Sequence, residues 1–263
     1  MSHFDLSETL NCGQCFRWNS LPNGSFHGVA FSKYINVSIK NDSLFIKGIS
    51  QNEFKNIWIP YFDLNRDYLA IKNAIKKLHP ILKIAAEYAP GIHILNQDPW
   101  EVLCSFIISQ NNNIPRIKGI IKRLCETFGD IISPAQYSFP NANRLACLNE
   151  GDFAPLRCGF RWKYILDAAQ KIANKEIILD ELKDLSIKTA RKSLTKILGV
   201  GPKVAECTLL YGLHKLEAFP VDTWIRKAMH TFFPGRNPEF FGEYAGIAQQ
   251  YIFHYCRNNP NLF

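Results

Sequence analysis

The spacing of apolar residues changes near Asp67, and this change limits the folds open to the chain. Apolar and polar side chains alternate over residues 35–39, and a turn at residues 41–43 leads into a second apolar run. This pattern is typical of antiparallel strands. Downstream, over residues 68–86, apolar residues recur at helical spacing. We therefore expect strands over about 14–62, in an antiparallel meander, and helices after them.

The helical pattern continues to the end of the chain. Asp98-Pro99-Trp100-Glu101 is a strong helix start, because it combines an N-cap, a proline at the first helical position and a capping glutamate. The predicted helices beyond residue 91 are 99–110, 116–128, 162–174, 187–198, 202–213, 223–232 and 241–257. We predict an α+β protein: a small antiparallel sheet domain with a trailing helix (1–90) packs on a helical domain (91–263), with the substrate cleft between them.

Composition indicates a globular protein with a polyanionic partner. The apolar fraction is 47%, enough for a core, and the formal net charge is +8. A basic chain favours nucleic acid or an anionic membrane face, and charge alone does not choose between these two. The sequence has no apolar run of the roughly 18 residues that a membrane span needs. We expect an intracellular protein without a membrane partner.

The eight cysteines are expected to be reduced thiols that serve as small hydrophobic side chains. Cys12 and Cys15 have the C-x-x-C spacing of half a zinc or redox site. No second pair of cysteines or histidines at metal-ligand spacing accompanies them, so we predict no metal site.

Gly199-Val200-Gly201, between two predicted helices, is typical of a helix-hairpin-helix motif at about 187–213. Such a turn directs backbone N–H groups outward at a helix N-terminus, where they can bind a phosphate. Basic residues near the turn are Arg191, Lys192, Lys196 and Lys203. An ordinary glycine turn beside a solvated basic helix is the alternative, but the continuation Pro202-Lys203-Val204-Ala205 favours DNA binding.

Lys203 and Asp222 are the candidate catalytic pair. Lys203 lies at the head of the helix after the turn, and a neutral lysine amine can act as a nucleophile. Asp222 precedes the helix beginning at Thr223, where aspartate is a good N-cap. A carboxylate fixed there can also stabilise positive charge on a sugar as its base departs.

Lys203 and Asp222 after this hairpin resemble the HhH-GPD superfamily of DNA glycosylases, and specifically the 8-oxoguanine DNA glycosylase/AP lyase family. The similarity extends over nearly the whole chain. Its other motifs are Gly13-Gln14-Cys15-Phe16-Arg17-Trp18, the block from Gln97 to Ile117, Gly159-Phe160-Arg161, and Ala248-Gln249 to Phe253. Several separate motifs in the family's order are more specific than the hairpin alone.

The resemblance implies an α-helical HhH-GPD domain, a TBP-like sheet domain and a bifunctional enzyme. Lys203 would attack the anomeric carbon of 8-oxoguanine opposite cytosine, with Asp222 assisting. The resulting Schiff base would allow strand nicking by β-elimination. The resemblance implies no cofactor. Its partner would be duplex DNA containing 8-oxoguanine, bound by a monomer in the compartment of the genomic DNA.

The resemblance also assigns DNA contacts. An enzyme that acts on a base turns the nucleotide out of the duplex and must support the gap that remains. Asn111 would fill that gap, and Phe160 would wedge beside the orphaned cytosine. Arg116 and Arg161 would hydrogen-bond this cytosine. The backbone of Gly199, Val200 and Gly201 would bind phosphate.

In the base pocket, the resemblance makes Gly13 the supplier of a carbonyl that accepts the N7 hydrogen of 8-oxoguanine, where guanine has a bare acceptor. Gln249 would pair with the Watson–Crick edge, and Phe253 and Cys207 would sandwich the ring. Core packing is the alternative for Phe253 and Cys207. Trp224 replaces a histidine common in eukaryotic members, and stacking is the expected role of its indole.

Three alternatives stay open from the sequence. A glycosylase of the same superfamily could act on another damaged base, such as an alkylated base or an oxidised pyrimidine. A non-catalytic helix-hairpin-helix protein would bind DNA in a salt-dependent manner without releasing a base. A binder of anionic membranes is less favoured, because no basic amphipathic helix stands out.

Overall fold

The N-terminal part of the chain contains a four-stranded antiparallel meander. The computed structural model describes residues 4–41 and 43–263. The strands are Trp18–Ser20, Phe26–Ala30, Lys33–Lys40 and Ser43–Lys47, and each pairs with the next. The predicted antiparallel sheet is confirmed. The predicted turn at 41–43 includes Asp42, which lies outside the described residues.

The strand prediction is wrong beyond Lys47. Residues 51–61 form consecutive helical turns, Gln51–Glu53, Phe54–Trp58 and Ile59–Tyr61. The start is fixed by a capping box, in which the Ser50 hydroxyl and the Glu53 carboxylate each accept from the other residue's backbone N–H. The turns place Trp58 and Tyr61 at a spacing of three, and both side chains are buried in the core of the sheet domain.

The longer helices follow the predicted periodicity, with ends displaced by a few residues. They are Tyr68–Leu78, Pro80–Tyr88, Pro99–Ile108, Ile114–Phe128, Trp162–Ala173, Ile187–Leu194, Pro202–Tyr211, Thr223–Phe232 and Ala245–Asn258. None of the helices in residues 4–41 and 43–263 has the length and apolar character needed to cross a membrane.

The shorter elements were not predicted. They are the helices Leu6–Asn11 and Ala142–Ala146, the strand pair Ile131–Ser133 and Gln136–Tyr137, and the 3-10 turns Glu150–Leu156, Gly159–Arg161, Asp180–Lys183, Pro238–Tyr244 and Pro260–Leu262. The predicted helix start at residue 241 is wrong. Gly242 has a φ of 70°, which no right-handed helix accommodates, so the last helix begins at Ala245.

The helix Pro99–Ile108 is the centre of the main core. Asp98 caps it by accepting from the Glu101 N–H at 2.8 Å, and seven of its ten residues, from Val102 to Ile108, are buried. The helix Pro202–Tyr211 packs on it closely, since a Cβ on Gly212 would lie 2.8 Å from the Pro99 Cα. The head of the second helix meets the other end of this neighbour, since the Lys203 Nζ donates to the Ser109 Oγ at 2.9 Å.

A buried glutamine fixes the loop that contains Gly13. The Gln14 amide nitrogen donates to the carbonyls of Thr9 and His93 at 3.0 and 2.8 Å. Its amide oxygen accepts from the Leu95 N–H at 2.9 Å. The Gln14 backbone carbonyl in turn accepts from the Gln97 side chain at 2.9 Å.

A second buried glutamine joins this loop to the helical core. The Gln250 amide nitrogen donates to the Cys12 carbonyl at 3.0 Å, and its oxygen accepts from the Tyr211 hydroxyl at 2.6 Å. Gln250 is 0% exposed. The side-chain amide of Gln250 thus connects the helix Ala245–Asn258 to the loop at Gly13 and to the helix Pro202–Tyr211.

We predict that Gln14→Leu lowers the free energy of unfolding by about 3 kcal/mol or more, because three hydrogen bonds to buried backbone groups are lost. Urea unfolding followed by circular dichroism measures this change. Gln170→Leu, at an exposed helical position, is the matched control and should change stability by less than about 0.5 kcal/mol. Equal stability of the two variants would contradict the assigned role of Gln14.

Candidate active site

The hairpin joins Ile187–Leu194 to Pro202–Tyr211 through a turn that requires glycine at one position. Gly199 has a φ of 75°, and a Cβ there would lie 2.4 Å from the Tyr164 ring. The Leu198 N–H, at the entry to the turn, donates to the Asp167 carboxylate at 2.7 Å. Tyr164 and Asp167, from a neighbouring helix, therefore set the position of the hairpin.

A cavity of about 640 Å³ lies at the head of the helix Pro202–Tyr211. Its lining includes eight of the predicted site residues: Gly13, Asn111, Lys203, Cys207, Asp222, Trp224, Gln249 and Phe253. Arg116, Phe160, Arg161 and the hairpin residues 199–201 do not line it. The structure thus brings the predicted catalytic and base-binding residues together and leaves most of the predicted DNA contacts outside.

Lys203 is held at the end of the buried central helix. Its Nζ donates to the Ser109 Oγ at 2.9 Å and lies 4.7 Å from the centroid of the Phe106 ring. The Ser109 hydroxyl donates its own hydrogen to the Phe106 carbonyl at 2.8 Å. Ser109 therefore presents a lone pair to the amine. It was not predicted as a site residue, although it begins a polar block after an apolar helix.

Asp222 is the N-cap of the helix Thr223–Phe232. Its Oδ1 accepts from the Ile225 N–H at 2.8 Å. Burial raises the pKa of the Asp222 carboxyl, while the backbone hydrogen bond from Ile225 and the charge of Lys203 act in the opposite direction. Asp222 is therefore both a structural cap and an acidic side chain in the cavity of Lys203.

The backbone of Gly13 lies close to the Phe253 ring, with no side chain between them. Its φ is 91°, and a Cβ would lie 3.2 Å from Phe253 Cε1 and 2.9 Å from Arg257 Nη1. Any side chain here would be strained and would enter the space beside Phe253. Glycine is therefore the residue that fits at this position, where the loop lines the cavity.

Gln249 presents a fixed acceptor. Its amide nitrogen donates to the Pro220 carbonyl at 3.0 Å, and this acceptor determines which end of the amide faces Pro220. Its Oε1 is buried and has no hydrogen-bond donor among the described residues. Nearby, burial raises the pKa of the Cys207 thiol to about 12, so the sulfur is present as the neutral thiol.

Three of the predicted DNA contacts have exposed side chains. Asn111 is exposed, with a left-handed φ of 46°, and Arg116 is exposed near the start of the helix Ile114–Phe128. Phe160 is 47% exposed. All three are accessible to a large ligand.

Arg161 has intramolecular partners instead. It is 3% exposed, and its guanidinium donates to the backbone carbonyls of Gln110, Asn111 and Cys158. Arg161 therefore supports the turn that carries Asn111. Its predicted contact with cytosine stays a prediction, and four of its five N–H donors bond to these carbonyls.

Trp224 lies at the edge of the cavity. Its ring is 6.2 Å from the Phe263 ring and 5.5 Å from the Lys227 Nζ. Sequence reasoning missed Phe263 and also Arg257, which lines the cavity. Arg257 follows Phe253 by one helical turn, and this spacing was the only signal for it.

A helix-hairpin-helix whose second helix begins with a lysine, in a cavity with a capping aspartate, defines the class of HhH-GPD base-excision DNA glycosylases. The family model for "8-oxoguanine DNA glycosylase, N-terminal domain" matches residues 1–103, and that for "HhH-GPD superfamily base excision DNA repair protein" matches residues 104–239. The chain belongs to the 8-oxoguanine DNA glycosylase/lyase family.

Relatives in three organisms agree with this assignment. The Clostridium acetobutylicum 8-oxoguanine glycosylase/lyase, solved with double-stranded DNA containing cytosine opposite 8-oxoguanine, superposes with a TM-score of 0.92 at 40% identity, over 98% of this chain and 93% of that chain. N-glycosylase/DNA lyase OGG1 of Arabidopsis thaliana is 29% identical over 96% of this chain and 78% of its own length. N-glycosylase/DNA lyase of Saccharomyces cerevisiae is 35% identical over 66% of this chain, but the match spans only 45% of that relative.

We predict that Gly199→Ala destabilises the protein by about 2 to 4 kcal/mol, because the new Cβ is strained at positive φ and overlaps the Tyr164 ring. Gly201→Ala is the matched control, since a Cβ there meets nothing within 4 Å. Its effect on stability should be below about 1 kcal/mol. Thermal and urea unfolding compare the two, and a larger loss for Gly201→Ala would contradict the turn geometry.

Proposed function

We propose that this protein is a bifunctional DNA glycosylase/AP lyase that excises 8-oxoguanine opposite cytosine from duplex DNA and nicks the strand. The observation that carries the proposal is the position of Lys203. Its amine lies in a cavity that also contains a carboxylate, a glycine backbone and an amide oxygen with no donor in the described part of the chain. These groups match the needs of a reaction at a sugar that carries an oxidised purine.

In the first step, the Lys203 amine, once deprotonated, attacks C1′ of the damaged nucleotide. A bond forms between Nζ and C1′, the glycosidic bond breaks, and its electron pair leaves with the base, which then takes a proton. Asp222 stabilises the positive charge that develops on the sugar. Ser109 holds the amine in place before attack, because Nζ lies 2.9 Å from its hydroxyl oxygen.

In the second step, the sugar ring opens and Lys203 and C1′ form a Schiff base. Loss of a proton from C2′ then expels the 3′ phosphate by β-elimination, which nicks the strand. Hydrolysis of the remaining imine returns the free amine. The two steps need no cofactor.

The pocket distinguishes 8-oxoguanine from guanine by the positions of their hydrogen-bond donors and acceptors. The Gly13 carbonyl accepts the N7 hydrogen of 8-oxoguanine, whereas guanine would place an acceptor against it, at a cost of about 1 to 3 kcal/mol. The Gln249 Oε1 accepts from an N–H group on the Watson–Crick edge. Phe253 and Cys207 lie on the two faces of the ring.

The nucleotide reaches this pocket by turning out of the duplex. Asn111 fills the gap, Phe160 wedges beside the orphaned cytosine, and Arg116 together with Arg161 binds that cytosine. The backbone N–H groups at residues 199–201 bind a phosphate. We infer that the protein acts as a monomer in the compartment of the genomic DNA, with residues 1–90 and 91–263 as its two domains.

Trapping with borohydride tests the nucleophile. The wild-type protein, incubated with an 8-oxoguanine:cytosine duplex and borohydride, should give a covalent protein–DNA adduct, and Lys203→Gln should give none. Lys47→Gln, an exposed lysine on the last strand of the sheet, is the matched control and should trap normally. An adduct with Lys203→Gln would place the nucleophile elsewhere. Release of a different base from a panel of lesion duplexes would reject 8-oxoguanine as the substrate.

The variant Asp222→Asn distinguishes the role of Asp222 as a helix N-cap from its proposed role in catalysis. Asparagine is as good an N-cap as aspartate, so stability should change by less than about 1 kcal/mol. The neutral amide cannot stabilise a cationic sugar, so single-turnover base release should fall by about 100-fold or more while DNA affinity is retained. Base release at the wild-type rate would leave Asp222 with a capping role only.

A further inference from the structure

Arg257 is a charged residue of the cavity to which the reaction above gives no role. It lies on the helix Ala245–Asn258, and its guanidinium carbon is 5.3 Å from the centroid of the Phe253 ring. Its Nη2 donates to the Asn11 carbonyl at 2.9 Å. The side chain is thus held between the loop of Gly13 and the ring that faces the base.

The other terminal nitrogen of Arg257, Nη1, is a buried hydrogen-bond donor. Nη1 is shielded from solvent and has no hydrogen-bond acceptor among the described residues. It would lie 2.9 Å from a Cβ on Gly13, and Phe253 Cε1 would lie 3.2 Å from the same point. A buried donor without an acceptor is unfavourable, and its retention beside a ligand cavity points to an acceptor on the ligand.

The chemistry of the oxidised base supplies such an acceptor. In 8-oxoguanine, N7 carries a hydrogen and the adjacent C8 carries an oxygen. Guanine has a bare N7 and a hydrogen on C8. Because N7 and C8 are neighbours, a base whose N7 hydrogen meets the Gly13 carbonyl directs its C8 substituent toward groups beside Gly13.

We propose that Arg257 Nη1 donates a hydrogen bond to the C8 oxygen of the extruded lesion, so that the pocket reads both changed positions of the base. This proposal rests on the proposed function. The contact joins a cationic donor to a carbonyl oxygen, which makes it stronger than a neutral pair. Guanine offers no oxygen there and would leave Nη1 unpaired. Arg257 is then a specificity residue for purines that carry an oxygen on C8.

Binding tests this role without turnover. We compare Lys203→Gln with the double variant Lys203→Gln/Arg257→Met on duplexes that carry either 8-oxoguanine or guanine opposite cytosine. Methionine keeps an apolar chain on Phe253 and removes the donors. The preference for 8-oxoguanine, as a ratio of dissociation constants, should fall about 10- to 100-fold, the range for one charge-assisted hydrogen bond. An unchanged ratio would overturn the proposal.

Kinetics separate recognition from structural support of the pocket. With Lys203 intact, the rate of 8-oxoguanine release divided by the rate of nicking at a preformed abasic site should fall about tenfold or more in Arg257→Met. Nicking at an abasic site uses Lys203 with no base in the pocket. An equal fall in both rates would mean that Arg257 only supports the fold, and would overturn the proposal.

A control variant and the behaviour of the wild type distinguish a failure of this proposal from a failure of the proposed function. Arg236→Met removes an exposed arginine that lies 4.9 Å from the Phe240 ring, outside the cavity, and it should alter neither ratio. A wild-type protein that releases no 8-oxoguanine would reject the proposed function itself. Release by the wild type with unchanged ratios in Arg257→Met would reject only the role of Arg257.

Discussion

The candidate site depends on the requirement that buried backbone groups find hydrogen-bond partners. Gly13 lies in a loop whose carbonyl and N–H groups cannot pair in a helix or strand. Gln14 and Gln250 compensate with amide groups that are 1% and 0% exposed. Because Gln250 also accepts from Tyr211, on the helix of Lys203, the same amide connects the proposed base pocket to the proposed nucleophile. Without these bonds, Gly13 would have no fixed distance from Phe253.

The groups to which we assign catalytic roles similarly take their positions from structural roles. Asp222 caps a helix, and Ser109 ends one by donating to the Phe106 carbonyl. Each therefore has a fixed orientation before a substrate arrives. Fixed groups need little reorganisation when charge develops, which is the main source of electrostatic catalysis. The helix ends thus orient these side chains before the substrate binds, which reduces the reorganisation energy of the reaction.

The sequence predicts the fold well where one local signal dominates. Helices such as Ile114–Phe128 have a clear apolar stripe, and Lys203 follows a turn in which Gly199 has a steric reason to be glycine. Residues 51–61 were misassigned because aromatic and β-branched side chains favour strands locally. The capping pair Ser50 and Glu53 was the contrary signal.

Sequence reasoning also missed residues whose roles exist only in three dimensions. Ser109 matters because it meets an amine 94 positions away, and Arg257 because its helix crosses the loop of Gly13. Arg161 shows that a motif does not reveal every partner of a side chain, since the fold also gives it backbone carbonyls as acceptors. Local patterns predict elements, and tertiary contacts decide what their polar side chains face.

The positive charge of the cavity can contribute both to binding of the base and to its release. Among the described lining residues, Lys203, Arg226 and Arg257 are basic, and only Asp222 is acidic. In the proposed reaction, the base leaves with the electron pair of the glycosidic bond and is anionic until it takes a proton. A buried guanidinium stays charged and is weakly screened, so it stabilises such a leaving group more than water would. A donor on the C8 oxygen would therefore favour 8-oxoguanine twice, when the base binds and again when the bond breaks.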